Sequence, residues 1–228
     1  MRSRHTFVLV VVLGVLMPAE ATAQTGMAPP ATDLAASGSY LVFSPTAHAV
    51  PAGHGYFQMT QILFPRFQVG LTSRISVGAA TFALAPRAVL LTPKVQVLHG
   101  ESVNVAAGVM HLAGISRVHT GIAYVVATTD VGDVSINTGI GVGYAAYRDE
   151  DDTQVRGRET VGMIGAELRD TSASSTLLEA YLFGGQVAQL TIARRRSVRR
   201  FSIDYGLLVM PSSSSSHLAP IVNFGWRF

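Results

Sequence analysis

The chain is predicted to be all-β, a transmembrane, antiparallel, up-and-down barrel of about twelve strands, with ten the shorter count. Three observations carry that expectation. From Gly38 onward apolar side chains recur at every second position rather than every third or fourth. The composition is 48% hydrophobic and only 14% charged, where a soluble domain carries about a quarter charged. Past residue 20 no apolar run approaches the roughly 20 residues that a spanning helix needs. Hydrophobicity is thus spread along the chain, as in strands that show lipid only every second side chain.

The clearest strand is 134–147. Val134, Ile136, Thr138, Ile140, Val142 and Tyr144 share one face, and Ser135, Asn137, Gly139, Gly141 and Gly143 share the other. A helix would mix these sets. The same alternation sets Phe201, Ile203, Tyr205, Leu207 and Val209 against Ser202, Asp204 and Gly206. It sets Val118, Thr120, Ile122, Tyr124 and Val126 against His119, Gly121 and Ala123. Ile75, Val77 and Ala79 oppose Ser76, Gly78 and Ala80, and Phe67, Val69 and Leu71 oppose Arg66, Gln68 and Gly70. Further strands are expected near 39–49, 87–98, 103–113, 160–169, 175–184 and 187–195. Counting 55–72 as one strand and 219–228 as the last gives twelve.

Every second connection is a short turn: Ser73-Arg74, 100–102, 130–133, 170–172 and Arg196-Ser197. The other set holds the longest polar stretches, 148–159 (RDEDDTQVRGRE) and 211–217 (PSSSSSH). Short turns at one end and longer loops at the other match a barrel with both termini on the inner side of its membrane.

Residues 1–23 read as an export signal. Arg2, Arg4 and His5 begin it, 7–17 form an apolar core, Pro18 breaks that core, and Ala21-Thr22-Ala23 supplies a small-x-small cleavage site. Residues 24–37 read as a flexible lead-in, which leaves 38–228 for the barrel. The sequence has no cysteine, which excludes disulfides, thiolate metal sites and a cysteine nucleophile. The net charge is +3 with the basic residues scattered, apart from a cluster at 194–200, and nothing calls for a nucleic-acid partner.

The chain ends APIVNFGWRF. Val222, Phe224, Trp226 and Phe228 alternate with Ile221, Asn223, Gly225 and Arg227, and the last residue is aromatic. Here the sequence resembles bacterial outer-membrane β-barrel proteins, whose closing strand ends in this way. The resemblance implies that Phe224, Trp226 and Phe228 form an assembly signal read by the barrel-assembly machinery. It also implies an outer-membrane location with the lipids of that membrane as surroundings. It names no solute.

With apolar faces outward, the ionisable residues Arg66, Lys94, Glu167, Arg169, Glu179, Arg195, Asp204 and Arg227 point into the lumen. They form either a polar plug of salt bridges and hydrogen bonds or the lining of a narrow anion-preferring pore. Neither catalytic residues nor a cofactor or metal site is expected. The acidic run 149–152 lacks the ligand spacing of a calcium loop. His48 and His54 are expected beside the first outer loop without a third ligand. No G-x-S-x-G occurs, so a lipid-modifying enzyme is a second reading that rests on histidines such as His111 alone. A soluble periplasmic lipid-binding barrel is a third. Asn137→Ser, on the small inward face, is expected to be nearly silent.

Overall fold

A computed structural model describes residues 38–113, 118–148, 154–211 and 216–228. The strands are β1 (Gly55–Thr60), β2 (Phe64–Gly70), β3 (Ile75–Phe82), β4 (Ala85–Leu91), β5 (Lys94–His99), β6 (Val103–Ala113) and β7 (Val118–Val131). They continue with β8 (Val134–Arg148), β9 (Gln154–Thr171), β10 (Ser174–Phe183), β11 (Gln186–Val198), β12 (Phe201–Pro211) and β13 (Ser216–Arg227).

The strand pairings are antiparallel and join neighbours in sequence except around β4 and β5, and β1 pairs with β13 in the register Tyr56↔Arg227 to Thr60↔Asn223, which closes the sheet. Both β4 and β5 pair with β3 on one side and β6 on the other. They are two halves of one stave, broken at Thr92-Pro93, where proline has no N–H to give the ladder. The wall is therefore a closed barrel of twelve antiparallel staves.

At one end of the β1–β13 seam, Gly55 and Phe228 bond each other through their backbones and mark one rim. The turns after β2, β5, β7, β9 and β11 share that rim, and those after β1, β3 and β10 lie at the opposite one. The acidic run 149–152 and most of the serine run fall outside the described residues, as do the export signal and the lead-in.

Two expectations about the strands are corrected, and the corrections cancel in the count. Residues 39–49 are not a strand: they fold as a turn-rich segment, largely buried inside the barrel. Residues 55–72 are not one strand but the hairpin β1–β2. Its turn places Gln61 and Ile62 in the left-handed region, at φ 55° and 61°. That is the backbone of a tight primed turn, which normally selects glycine or asparagine. Neither stands here, so composition held no sign of it. The turn expected at Arg196-Ser197 falls at Arg199-Arg200, with Arg199 at φ 55°.

The outward face is apolar along most of the wall. Phe67, Ile75, Val95, Val125, Ile140, Ile164, Ile192, Leu207 and Phe224 are exposed, while Gln68, Ser76, Asn137, Thr191, Asp204 and Asn223 between them are buried. A continuous apolar wall of this extent is unsuited to water and suited to hydrocarbon. One strand departs from the expected orientation. In β7 the bulky face (Ile122, Tyr124, Val126) turns inward and Ala123 and Val125 face out. It packs there with Ala106 and Met110 of β6, Val161 and Met163 of β9 and Tyr181 of β10. Period two was legible in β7, but both faces are apolar enough that the sign was not. Replacing Ile140, which is 65% exposed, by Arg is expected to cost about 2–4 kcal/mol near the bilayer midplane, read by denaturant unfolding in lipid vesicles.

Candidate functional site

The lumen is occupied by the chain itself. Residues 39–46 fold back as a small hairpin: Leu41 N donates to the Ser44 carbonyl (2.9 Å) and Thr46 N to the Ser39 carbonyl (3.0 Å). Tyr40, Leu41, Val42, Ala47 and Val50 are buried, and so are Ser39, Ser44 and Thr46. Alternation thus has no inside and outside here, because both faces meet the wall. The segment leaves through 49–54 to β1, passing Gly70 so closely that a Cβ there would collide with the carbonyl oxygens of Val50 and Pro51.

Wall side chains complete the hydrogen bonds that this irregular backbone lacks. At the hairpin tip the Glu179 carboxylate accepts from Phe43 N (2.9 Å) and Ser44 N (3.0 Å). Lys94 Nζ sits among the carbonyl oxygens of Ser39 (3.1 Å), Thr46 (2.9 Å) and His48 (2.7 Å) and bonds the Ser39 hydroxyl. Arg195, 1% exposed, forks onto Asp204 through Nε (2.7 Å) and Nη2 (2.9 Å), and Nη2 also donates to the Leu41 carbonyl (2.8 Å). Thr128 Oγ1 accepts from Ala47 N (2.8 Å) and donates to Asn137 Oδ1 (2.8 Å), while Asn137 Nδ2 donates to the Pro45 carbonyl (3.0 Å). The Arg66 guanidinium lies 4.4 Å from the Tyr40 ring centroid and the Lys94 ammonium 5.5 Å from it. Each cation gains from the ring's negative face.

Of the eight ionisable residues expected in the lumen, five (Arg66, Lys94, Glu179, Arg195 and Asp204) are buried around this segment. The other three stand apart. Arg169 is exposed near the rim that carries Phe228; its Nη2 donates to Ser135 Oγ (3.1 Å) and lies 3.9 Å from Asp130. Glu167 is half-buried on the inward face of β9 and makes none of these bonds, and Arg227 is half-buried with Nη2 donating to the Arg199 carbonyl (3.2 Å). Phe224, Trp226 and Phe228 are exposed, and the Phe228 ring stacks on Phe67 (5.4 Å) and tilts against Trp226 (5.5 Å).

The histidines change place. His48 and His54 are not beside an outer loop: they belong to the stretch that joins the internal segment to β1 at the terminus-bearing rim. His48 Nε2 lies 3.3 Å from Asp130 Oδ2 there. No group of three or more potential ligands gathers for a metal among the described residues. His111 Nδ1 bonds the Tyr144 hydroxyl (2.8 Å) and its ring stacks on His119 (6.2 Å).

Beyond the hairpin tip, toward the rim opposite Phe228, a cavity of about 790 Å3 remains. Phe43, the outermost residue of the tip, closes its inner end. Phe64, Phe82, Leu90, Met110, Leu112, Ile122 and Phe183 line it, with Arg66 at depth and Arg158 and Glu159 near the rim. Sequence reasoning missed this cavity and the internal segment that floors it. It also missed Thr128, Asn137 and Gln96 as groups that hold the segment. Their one signal was position: each is an uncharged polar residue on an inward face too short of partners to satisfy it.

No protein-family model matches the chain, and no curated protein matches it in sequence. Among solved structures the barrel is similar to the NanC porin, at 10% identity and a TM-score of 0.51, over 75% of this chain and 97% of that one. Two looser likenesses are the toluene transporter TbuX of Ralstonia pickettii and the N-terminal barrel domain of Pseudomonas aeruginosa OprF. TbuX is 12% identical over 72% of this chain and 51% of that one (TM-score 0.43); OprF is 12% identical over 77% and 97% (TM-score 0.29). At such identities the NanC likeness speaks for the fold alone, and nothing rests on the other two.

The bonds of Asn137 revise the expectation that its replacement is silent. Asn137→Ser removes the donor to Pro45 and shortens the reach to Thr128, leaving buried polar groups unpaired. A loss of about 1–3 kcal/mol is expected in denaturant unfolding of the folded barrel. An unfolding midpoint equal to that of the wild type would mean that these bonds add nothing to stability.

Proposed function

We propose that the chain is an integral outer-membrane barrel, structural or narrow-channel in type, that is closed along its axis by its own internal segment and carries no catalytic role. One observation carries the closed reading: the lumen-facing charges do not line a water column but bind the backbone and rings of residues 39–48. The apolar outer wall supports membrane residence over the soluble alternative, which would put that wall in water. The lipid-modifying alternative has little to draw on. His111 is engaged with Tyr144, and no serine bonds a histidine among the described residues.

The export signal at 1–23 fits this reading, and so does a closing strand whose Phe224, Trp226 and Phe228 the assembly machinery would recognise. Outer-membrane lipids are then the surroundings of the wall.

Planar-bilayer recording of the purified protein is expected to show no stepwise conductance. Excision of residues 38–50 is expected to produce steps. Steps of equal size in both would contradict axial closure. Partition with the inner membrane or the soluble fraction, instead of the outer membrane, would contradict the location.

A further inference from the structure

The charges in the lumen are not all met by a counter-charge or a full set of hydrogen bonds, and the exception borders the outer cavity. Asp204 neutralises Arg195, and four oxygens of the internal segment surround Lys94. The Glu179 carboxylate is satisfied by backbone N–H groups. Arg66 has neither. It is 9% exposed, its Nε and Nη1 have no hydrogen-bond partner, and no carboxylate lies within ion-pair distance of it among the described residues. Its contact with the Tyr40 ring offsets part of the burial but uses none of those N–H donors. A buried guanidinium with donors unmet is costly unless an acceptor arrives.

Most of the remaining lining is apolar, with four phenylalanines (Phe43, Phe64, Phe82, Phe183), and Arg158 and Glu159 stand near the rim. Its volume of about 790 Å3 lies in the range of small-molecule sites, which pair an apolar wall with a few placed polar groups. Its rim is also unusual. The strands β1, β2 and β3 hold 6, 7 and 8 residues, fewer than the roughly 9–11 that cross a bilayer. The turns that end them carry Ile62, Leu63 and Leu84, all exposed, and the two turns are tied by a bond from Ala83 N to the Leu63 carbonyl (2.7 Å). Apolar turns at the top of a low wall suit contact with acyl chains, not with water.

We propose that this cavity is a binding site for an amphipathic organic monoanion, a carboxylate on a hydrocarbon tail. The carboxylate accepts from Arg66 at the inner end, and the tail lies among the phenylalanines toward the low apolar rim. Arginine suits the role, because a charged N–H donor makes a short, strong hydrogen bond to a carboxylate oxygen. The site rests on the closed-lumen reading, since the tip of the internal segment is its floor.

The test is calorimetric titration of the whole mature protein in lipid nanodiscs, with empty nanodiscs as reference, using octanoate, octan-1-ol and acetate as probes. Octanoate is expected to bind saturably with one site per barrel. Octan-1-ol, which keeps the tail, and acetate, which keeps the head, are each expected to bind about tenfold more weakly or worse. Arg66→Met is expected to abolish the preference for octanoate over octan-1-ol. Ala88→Trp, at a buried lining position away from the charged groups, is expected to remove binding of both while the barrel keeps its heat-modifiable migration. No saturable octanoate binding to the wild-type barrel would overturn the proposal, as would equal affinity for octanoate and octan-1-ol or for octanoate and acetate. An unchanged preference in Arg66→Met would also overturn it. If that variant does not fold, the wild-type preference and Ala88→Trp decide. Absent octanoate binding with silent bilayers removes the ligand alone, whereas conducting wild-type barrels remove the closed lumen on which it rests.

Discussion

A peptide segment lodged inside a membrane barrel has no bulk water to satisfy its backbone, so every N–H and C=O it brings must meet a partner on the wall or on itself. Residues 39–48 meet much of that condition through few side chains. Glu179 takes the two N–H groups at the tip, Lys94 takes three carbonyls at the base, and Thr128, Asn137 and Arg195 take the flanks. These side chains serve as hydrogen-bonding partners for a backbone that forms no ladder. Remove them and the hairpin has unpaired groups on both edges, which would favour its leaving the lumen.

The same constraint explains how the interior is divided. Buried polar side chains meet the segment's backbone at Lys94, Gln96, Thr128 and Asn137, while Gln68, Ser76, Asp204 and Asn223 bond other wall side chains. Apolar side chains concentrate where its rings and methyl groups pass: Leu41 and Val42 against Leu177, Ala193 and Ile221, and Ala47 against Val126 and Met163. Above the tip no backbone is left to satisfy, and the wall there turns aromatic and encloses a space. The internal segment is thus both a stopper and the floor of the outer cavity.

Much of the architecture was legible because period two survives any error in detail. The strands of β8, β12 and β13 were readable residue by residue, since their small polar faces (Ser135, Asn137, Gly139; Ser202, Asp204; Asn223, Gly225) contrast with their apolar ones. Residues 39–49 misled for a physical reason. A segment buried on both sides has apolar residues on both sides, and Ser44-Pro45 is the one local hint of a turn. The β1–β2 hairpin was hidden because Gln61 and Ile62 adopt a backbone that their side chains disfavour. In β7 the two faces differ in size more than in polarity, so the inward turn of Tyr124 and Val126 could not be read from pattern. Of the candidate site, the inward charges were nameable from alternation alone. What they bind was not, because the ligand of Glu179, Phe43 N, lies 136 residues away in sequence.

Hydrogen exchange followed at peptide resolution tests most directly whether the barrel wall holds this segment. In the folded protein the amides of Leu41, Phe43, Ser44, Thr46 and Ala47 should exchange as slowly as those of the adjoining wall strands. Exchange at rates typical of an exposed tail, with the strands still protected, would show that the segment does not occupy the lumen and would contradict the account at its root.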